Sequence, residues 1–280
     1  MAMKGRESSP RMAAVSSAND AAVYDAHVVP RYSSLFGRML LAHVPENERV
    51  QVLDVGCGTG HPALEILARL DPGGRVIAID PDSALLDLAR RRALDESGRR
   101  IFFKAASAEE LDFGNEVFDV VTGNLAMSAW LAPEKALSEL YRVLTERGLL
   151  LLTQALAGTF EEVFDMFREL ALRRDDGALA ARVERIALRY PSASTLEAVI
   201  ANAGFASVRV KTEEFQLAFG SARDLLADPA LRFVAVPEWR WIAGFEDDGL
   251  LEEMVRMLDT YFGGGPLSLR VHAGLAIARV

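Results

Sequence analysis

The sequence predicts an α/β protein on a doubly wound, seven-stranded, mostly parallel sheet, with an antiparallel edge strand and helical additions over one end. Three observations carry that prediction. From Glu48 to Ala155 short apolar runs alternate with helical stretches, the rhythm of parallel strands joined by right-handed crossovers. The first strand-to-helix junction is a glycine-rich turn, where a backbone free to take positive φ can approach a ligand. After Thr153 the rhythm changes to long helical patterns and two alternating strands, which suit an antiparallel pair at one edge.

In chain order, residues 1–17 are rich in Ser, Ala and isolated charges and read as a disordered tail. Residues 18–44 read as one or two amphipathic helices broken at Pro30, a lid before the sheet. The core of 48–155 opens with a strand at Val50–Val55 and a helix at Pro62–Leu70. A turn at Asp71-Pro72-Gly73-Gly74 leads to a strand at Arg75–Ile79. A helix at Ser83–Ala93 and strands at Ile101–Ala105 and Phe118–Thr122 come next. In the helix Pro133–Leu144, Leu137, Leu140, Tyr141 and Leu144 form one stripe. Gly148–Thr153 holds four consecutive leucines, as a central strand buried on both faces requires. Helical patterns follow at 159–174 and 178–190, with a third at 194–203 whose Ser194-x-x-Glu197 has capping-box spacing. The alternating strands are Ala206–Leu217 and Leu267–Val280. The stretches 156–205 and 221–262 therefore supply helices to wall the pocket, and residues 18–280 read as one domain.

With 31 basic and 40 acidic side chains, the chain of 280 residues carries a formal charge of −9. That balance argues against a nucleic-acid partner, which needs a basic footprint on phosphates. The single cysteine, Cys57, rules out an intramolecular disulfide framework and fits a reducing, cytoplasmic setting. No apolar run approaches the roughly 20 residues that span a bilayer. Four scattered histidines, His27, His43, His61 and His272, give no metal signature.

Leu53-Asp54-Val55-Gly56-Cys57-Gly58-Thr59-Gly60 has G-x-G-x-G spacing, whereas the dinucleotide fingerprint has G-x-G-x-x-G. Asp54 would repel a pyrophosphate but attract an ammonium, so a ligand with an amino-acid moiety and a nucleoside fits better than NAD. Asp80, ending the second strand, can accept hydrogen bonds from both ribose hydroxyls. Lys104-Ala105-Ala106-Ser107-Ala108 at the third strand end and Asn124 at the fourth complete the crevice edge.

These stretches resemble the class I S-adenosylmethionine-dependent methyltransferases, with their Rossmann-like fold. The resemblance implies S-adenosyl-L-methionine as co-substrate and assigns the loop Gly56, Cys57, Gly58 and Gly60 to its amino-acid end. It implies Asp54 near the ammonium, Asp80 on the ribose, Ser107 and Ala108 bordering the adenine, and Asn124 under the sulfonium side. From the N-terminal helix Tyr24 is a candidate to close over the cofactor, with core packing as the alternative. Many relatives have aspartate where this chain has Ser107, which weakens the expected acceptor for the adenine amino group. Ala21-Ala22-Val23-Tyr24-Asp25-Ala26-His27, Asn124 to Trp130 and Thr153 to Glu162 further resemble the malonyl-acyl-carrier-protein methyl ester synthases. Part of this pattern is shared with ubiquinone/menaquinone-type and aconitate methyltransferases. The acceptor implied is a small molecule or a carrier-bound acyl group.

Trp130, Trp239 and Trp241 are candidates for a substrate pocket, with core packing as the alternative. Arg142 reads as a surface charge. No residue presents itself as a catalytic base. A carboxylate acceptor is already ionised at neutral pH and needs none, whereas a phenol does, so the sequence favours a carboxylate or an activated carbon. Two other readings stay open at this point: a catalytically silent S-adenosylmethionine-binding protein and a nicotinamide oxidoreductase.

Overall fold

The computed structural model describes residues 17–244 and 248–280. The expected tail thus lies outside the described residues except for Ser17, which belongs to the first helix instead. Its hydroxyl accepts from the Asp20 N–H and caps α1 (Ala18–Val23). A π-helix, Tyr24–Ser33, and α2 (Ser34–Leu41) follow. Pro30 does not break this run as expected; it lies inside the π-helix. In an α-helix the proline ring collides with the carbonyl four residues back, and a wider turn relieves that collision.

The sheet consists of β1 (Gln51–Val55), β2 (Arg75–Asp80), β3 (Ile101–Ala105), β4 (Phe118–Asn124), β5 (Leu144–Ala155), β6 (Ala206–Phe219) and β7 (Leu267–Arg279), in the order β3-β2-β1-β4-β5-β7-β6. The first five strands pair in parallel, while β7 runs antiparallel to both β5 and β6. The order reverses beside β1, so the carboxyl ends of β1 and β4 open a crevice there. Leu150, Leu151 and Leu152 of β5 have no exposed surface, the double burial that the leucine run predicts.

Helices α3 (Ala63–Arg69), α4 (Ser83–Ala93) and α5 (Pro133–Val143) connect the parallel strands. Between β5 and β6 lie α6 (Glu161–Arg174), α7 (Gly177–Ala187) and α8 (Ala193–Asn202). The α8 cap differs from the expected box. Ser192, not Ser194, accepts from Thr195 N–H, and Glu197 turns to the sheet to accept from Val210 N–H at 2.8 Å. Between β6 and β7 come α9 (Leu231–Val234), α10 (Val236–Ala243) and α11 (Asp248–Tyr261).

Two apolar clusters cover the two faces of the sheet. One joins Leu53, Val55 and Ile79 to α5 and α8. The larger takes in α2, α6 and α10, with Phe36, Phe160, Phe164, Phe167 and Trp239 fully buried. That packing fixes the N-terminal segment and the late helices over the crevice.

Candidate functional site

At the end of β1, Gly56, Gly58 and Gly60 take φ of +67°, +54° and +95°, conformations that L side chains rarely adopt. A Cβ on Gly56 would stand 2.9 Å from that of Ala126, whereas one on Gly58 would meet nothing within 4 Å. The loop therefore presents bare backbone to an open side. Cys57 turns inward and is buried; its N–H donates to the Ile79 carbonyl, and burial pushes its thiol well up. That is a packing thiol, not a reactive one.

Asp80 ends β2 with its carboxylate tied to the backbone on both sides. Oδ2 accepts from Gly58 N–H and Oδ1 from Asp82 N–H, each at 2.9 Å. Burial raises its pKa, and these two bonds hold it back. Each oxygen keeps acceptor capacity beyond these bonds. Asp54 is fully buried beneath the loop. Its Oδ1 accepts from Thr122 Oγ1 at 2.5 Å, and its Oδ2 has no protein partner. Burial lifts this carboxyl to about 7, with Thr122 and His61 pulling it down. An orphaned buried carboxylate oxygen, an open glycine loop and a strand-end carboxylate fit a ligand with an ammonium and a ribose.

Ser107 is half-buried and hydrogen-bonds with Glu109, while the Ala108 side chain joins the core. Glu109 also accepts from the Ala132 N–H ahead of α5. Asn124 is tied within the protein: it donates to the Ser33 carbonyl at 3.0 Å and accepts from Thr153 Oγ1 at 2.8 Å. The next residue, Leu125, has φ of +61°, a costly conformation for leucine, and its N–H also donates to Thr153. Tyr24 packs edge-on against Phe233 and lies 3.5 Å from Ser33 Oγ; burial raises its phenol pKa.

Charged side chains clamp the N-terminal segment as well. Asp25 Oδ1 accepts from Thr59 Oγ1 at 2.7 Å and pairs with Arg92 at 2.5 Å, which joins the π-helix to the glycine loop. Asp20 pairs with Arg232 at 2.7 Å and Arg31 with Asp228 at 2.6 Å. Of the histidines, only His61 acts on a crevice group, through the charge of Asp54. His27 is exposed, His43 bonds the Met39 carbonyl, His61 pairs with Glu65, and His272 faces Glu214. Arg142 is more than a surface charge, since it bonds Glu139 and the carbonyls of Leu111 and Phe113.

The other half of the crevice is walled by the helices expected to do so, but apart from Trp130 its lining residues were not singled out from the sequence. Beyond β4 and β5 a chamber of about 50 Å³ is lined by Tyr32, Leu125, Ser128, Gln154, Ala155, Arg189, Tyr190, Val234 and Glu238. It adjoins a cleft of about 540 Å³ that includes Met127, Trp130, Leu188, Pro191, Leu196 and Val199. Glu238 of α10 is buried; its Oε2 accepts from Tyr190 Oη at 2.7 Å, and Oε1 lies 3.3 Å from Arg189 Nε. Burial raises this carboxyl to about 7. The one usable signal was an acid flanked by apolar residues in Val236-Pro237-Glu238-Trp239. Of the tryptophans, Trp130 lines the cleft, whereas Trp239 is core and Trp241 stacks under Arg185.

The sheet order and the glycine loop define a doubly wound α/β protein whose crevice suits a nucleoside ligand. Residues 52–148 match the model of a family described as a methyltransferase domain. The demethylmenaquinone methyltransferase of Thermus thermophilus is 33% identical over 179 residues, spanning 60% of this chain and 79% of that one. The malonyl-[acyl-carrier protein] O-methyltransferase of a Paenibacillus species is 27% identical over 215 residues, 76% of this chain and 75% of that one. Among solved structures, the YcgJ protein of Bacillus subtilis shares the fold with a TM-score of 0.57 at 19% identity, covering 88% of this chain and 98% of that one. A phosphoethanolamine N-methyltransferase of Haemonchus contortus, solved with S-adenosyl-L-methionine, has a TM-score of 0.55 at 17% identity, covering 94% of this chain and 57% of that one. The chain belongs to the S-adenosylmethionine-dependent methyltransferase family, and S-adenosylmethionine is its co-substrate. The nicotinamide reading falls with that membership. Among the described residues no helix is long and apolar enough to cross a membrane.

Proposed function

We propose that the chain methylates a small organic acceptor whose polar head enters the chamber beside Gln154 while its apolar body lies along the cleft. The observation that carries this reading is a shared wall: Ser128, Gln154 and Arg189 border both spaces. A chamber of about 50 Å³ admits a head group alone, so the rest of the acceptor stays in the 540 Å³ cleft. An acyl group delivered on a carrier protein, the acceptor named for the Paenibacillus relative, is the alternative acceptor and would bring a carboxylate head.

In the cofactor half, we read the loop from Gly56 to Gly60, Cys57 included, as the seat of the amino-acid moiety, with Asp54 Oδ2 toward the ammonium. Asp80 takes the ribose hydroxyls with its spare acceptor capacity, Ser107 and Ala108 border the base, and Tyr24 covers the site. Asn124, tied to Ser33 and Thr153, holds the N-terminal segment in register with β4. The bound co-substrate supplies a methyl group already activated on a sulfonium, so alignment of acceptor and methyl is the chain's main contribution.

The test is transfer of labelled methyl to a panel of quinol precursors, carrier-bound acyl groups and tricarboxylates. Labelling of an acceptor with an apolar body is expected, with loss of apparent affinity when that body is trimmed to the head. Binding of the co-substrate with no labelling of any class would instead make the chain a silent binder.

A further inference from the structure

The buried end of the chamber holds a side-chain group that the cofactor half does not use. Glu238 comes from α10, Arg189 and Tyr190 from the segment after α7, and Tyr32 from the π-helix. Tyr190 donates to Glu238 Oε2 at 2.7 Å, and Arg189 approaches Oε1 at 3.3 Å. Gln154 lines the same chamber, and its buried Oε1 has no protein partner, so a turn of this side chain toward a donor on an incoming head would satisfy it. A buried carboxylate, a phenol bonded to it and an orphaned acceptor beside the same small space form a site for a group that arrives with a proton and leaves without it.

We propose that Glu238 is the proton acceptor of this site, with Tyr190 as relay, and that the reacting head is a hydroxyl or an acidic carbon rather than a preformed carboxylate. This rests on the reading of the chamber as the acceptor site and names the class of acceptor. As the acceptor oxygen or carbon bonds the methyl carbon, the carbon–sulfur bond breaks and its electron pair stays on sulfur. The acceptor's proton passes to Glu238 directly, or to Tyr190 Oη as the Tyr190 proton moves to Glu238. Protonated Glu238 then returns the proton to solvent.

The charges around Glu238 set its working range. Burial raises the carboxyl to about 7, while Arg189 and the Tyr190 hydrogen bond pull it down. Tyr32 faces it as a neutral phenol, since burial and Glu238 both raise the Tyr32 pKa. From α7, Arg182 bonds the Ile242 carbonyl and Arg185 stacks on Trp241; Arg240 lies on α10 itself. A base half-ionised near neutrality is well matched to removing a proton at physiological pH.

The experiment compares the wild type with Glu238→Gln and Tyr190→Phe, using hydroquinone, carbon-acid and carboxylate acceptors. Calorimetric binding of the co-substrate serves as the folding and family control. In the wild type, turnover of a hydroxyl or carbon acid should rise through about pH 7. Glu238→Gln should lose that limb and about 100-fold or more in kcat, with co-substrate affinity unchanged. Tyr190→Phe removes a bond that favours ionised Glu238, so its limb should move to higher pH. Retention of rate and limb in Glu238→Gln overturns the base, and labelling of carboxylates alone overturns the acceptor class. If co-substrate binds but no acceptor of any class is labelled, the chamber reading itself fails. Infrared titration of the protein with S-adenosylhomocysteine then decides the base: a carboxyl near pH 7 that vanishes in Glu238→Gln supports it, and one confined to the ordinary carboxylate range overturns it.

Discussion

Around Asp80 the binding groups come from successive strand-end loops, and much of the recognition surface is backbone. The glycines bare the chain, and the two carboxylate oxygens of Asp80 are fixed by Gly58 and Asp82 N–H groups. Around Glu238 the groups come from the π-helix, β5, the segment after α7, and α10, and they are all side chains. The first half is built by local sequence; the second exists only once distant helices have packed. On the proposed reading, one chain keeps a fixed co-substrate site while its acceptor site is set by packing elsewhere.

The sharpest way to break that contrast is Asp80→Ala. If Asp80 holds the ribose as proposed, the substitution removes charge-assisted bonds to two hydroxyls, each contributing about 1.5–3 kcal/mol, and co-substrate affinity should fall by roughly 100-fold or more by calorimetry. Because Gly58 and Asp82 N–H lose their acceptor as well, ligand-free melting should also drop. Unchanged affinity would remove Asp80 from the ribose and blur the division between the halves.

The same division decides what could be read in advance. The strands β1 to β5, their connecting helices and the glycine loop follow from periodicity and punctuation within about a dozen residues. The Asp54–Thr122 bond and the unpartnered Oδ2 needed the β1–β4 pairing to become visible. Glu238, Arg189 and Tyr190 lay beyond reach because no spacing rule links a helix at 236 to a turn at 189. The expected lack of a base therefore reflected which residues were neighbours in sequence, and the chamber supplies a candidate. Pro30 and Ser194 misled for the opposite reason: each carries a strong local signal that the surrounding packing overrides.

A second test uses the two buried carboxyls, one in each half, both lifted to about 7. An acid whose folded pKa lies above its unfolded value binds more protons when folded. Its stabilising contribution is full below about pH 4 and is lost as pH rises through about 7. A tenfold difference in proton affinity between folded and unfolded chain is worth about 1.4 kcal/mol, an upper bound once the fold relaxes. Chemical denaturation should show stability declining from about pH 4 to about pH 7 and levelling above, less steeply in Glu238→Gln and in Asp54→Asn. Saturating co-substrate, whose ammonium favours ionised Asp54, should remove the Asp54 share and leave the Glu238 share. If the ligand left both slopes intact, Asp54 would not face the ammonium.

The smallest expected effect tests what joins the halves. Deleting the N-terminal helices outright is a poor probe, because Phe36 and Leu40 are fully buried and their loss would open the core. Asp25 offers a milder cut: it holds Thr59 of the glycine loop and Arg92 of α4 from the π-helix, and that helix also carries Tyr32 into the chamber. Both members of the ion pair keep about a third of their side-chain surface, so the pair itself adds little stability. Asp25→Ala should cost about 1 kcal/mol in denaturation, from the Thr59 bond and partial loss of the pair. Its effect on turnover should be several-fold and should fall on co-substrate affinity and acceptor KM together, because one contact aligns both sites. A change in co-substrate affinity alone would show that Asp25 belongs to the glycine loop and that the π-helix aligns the acceptor without it.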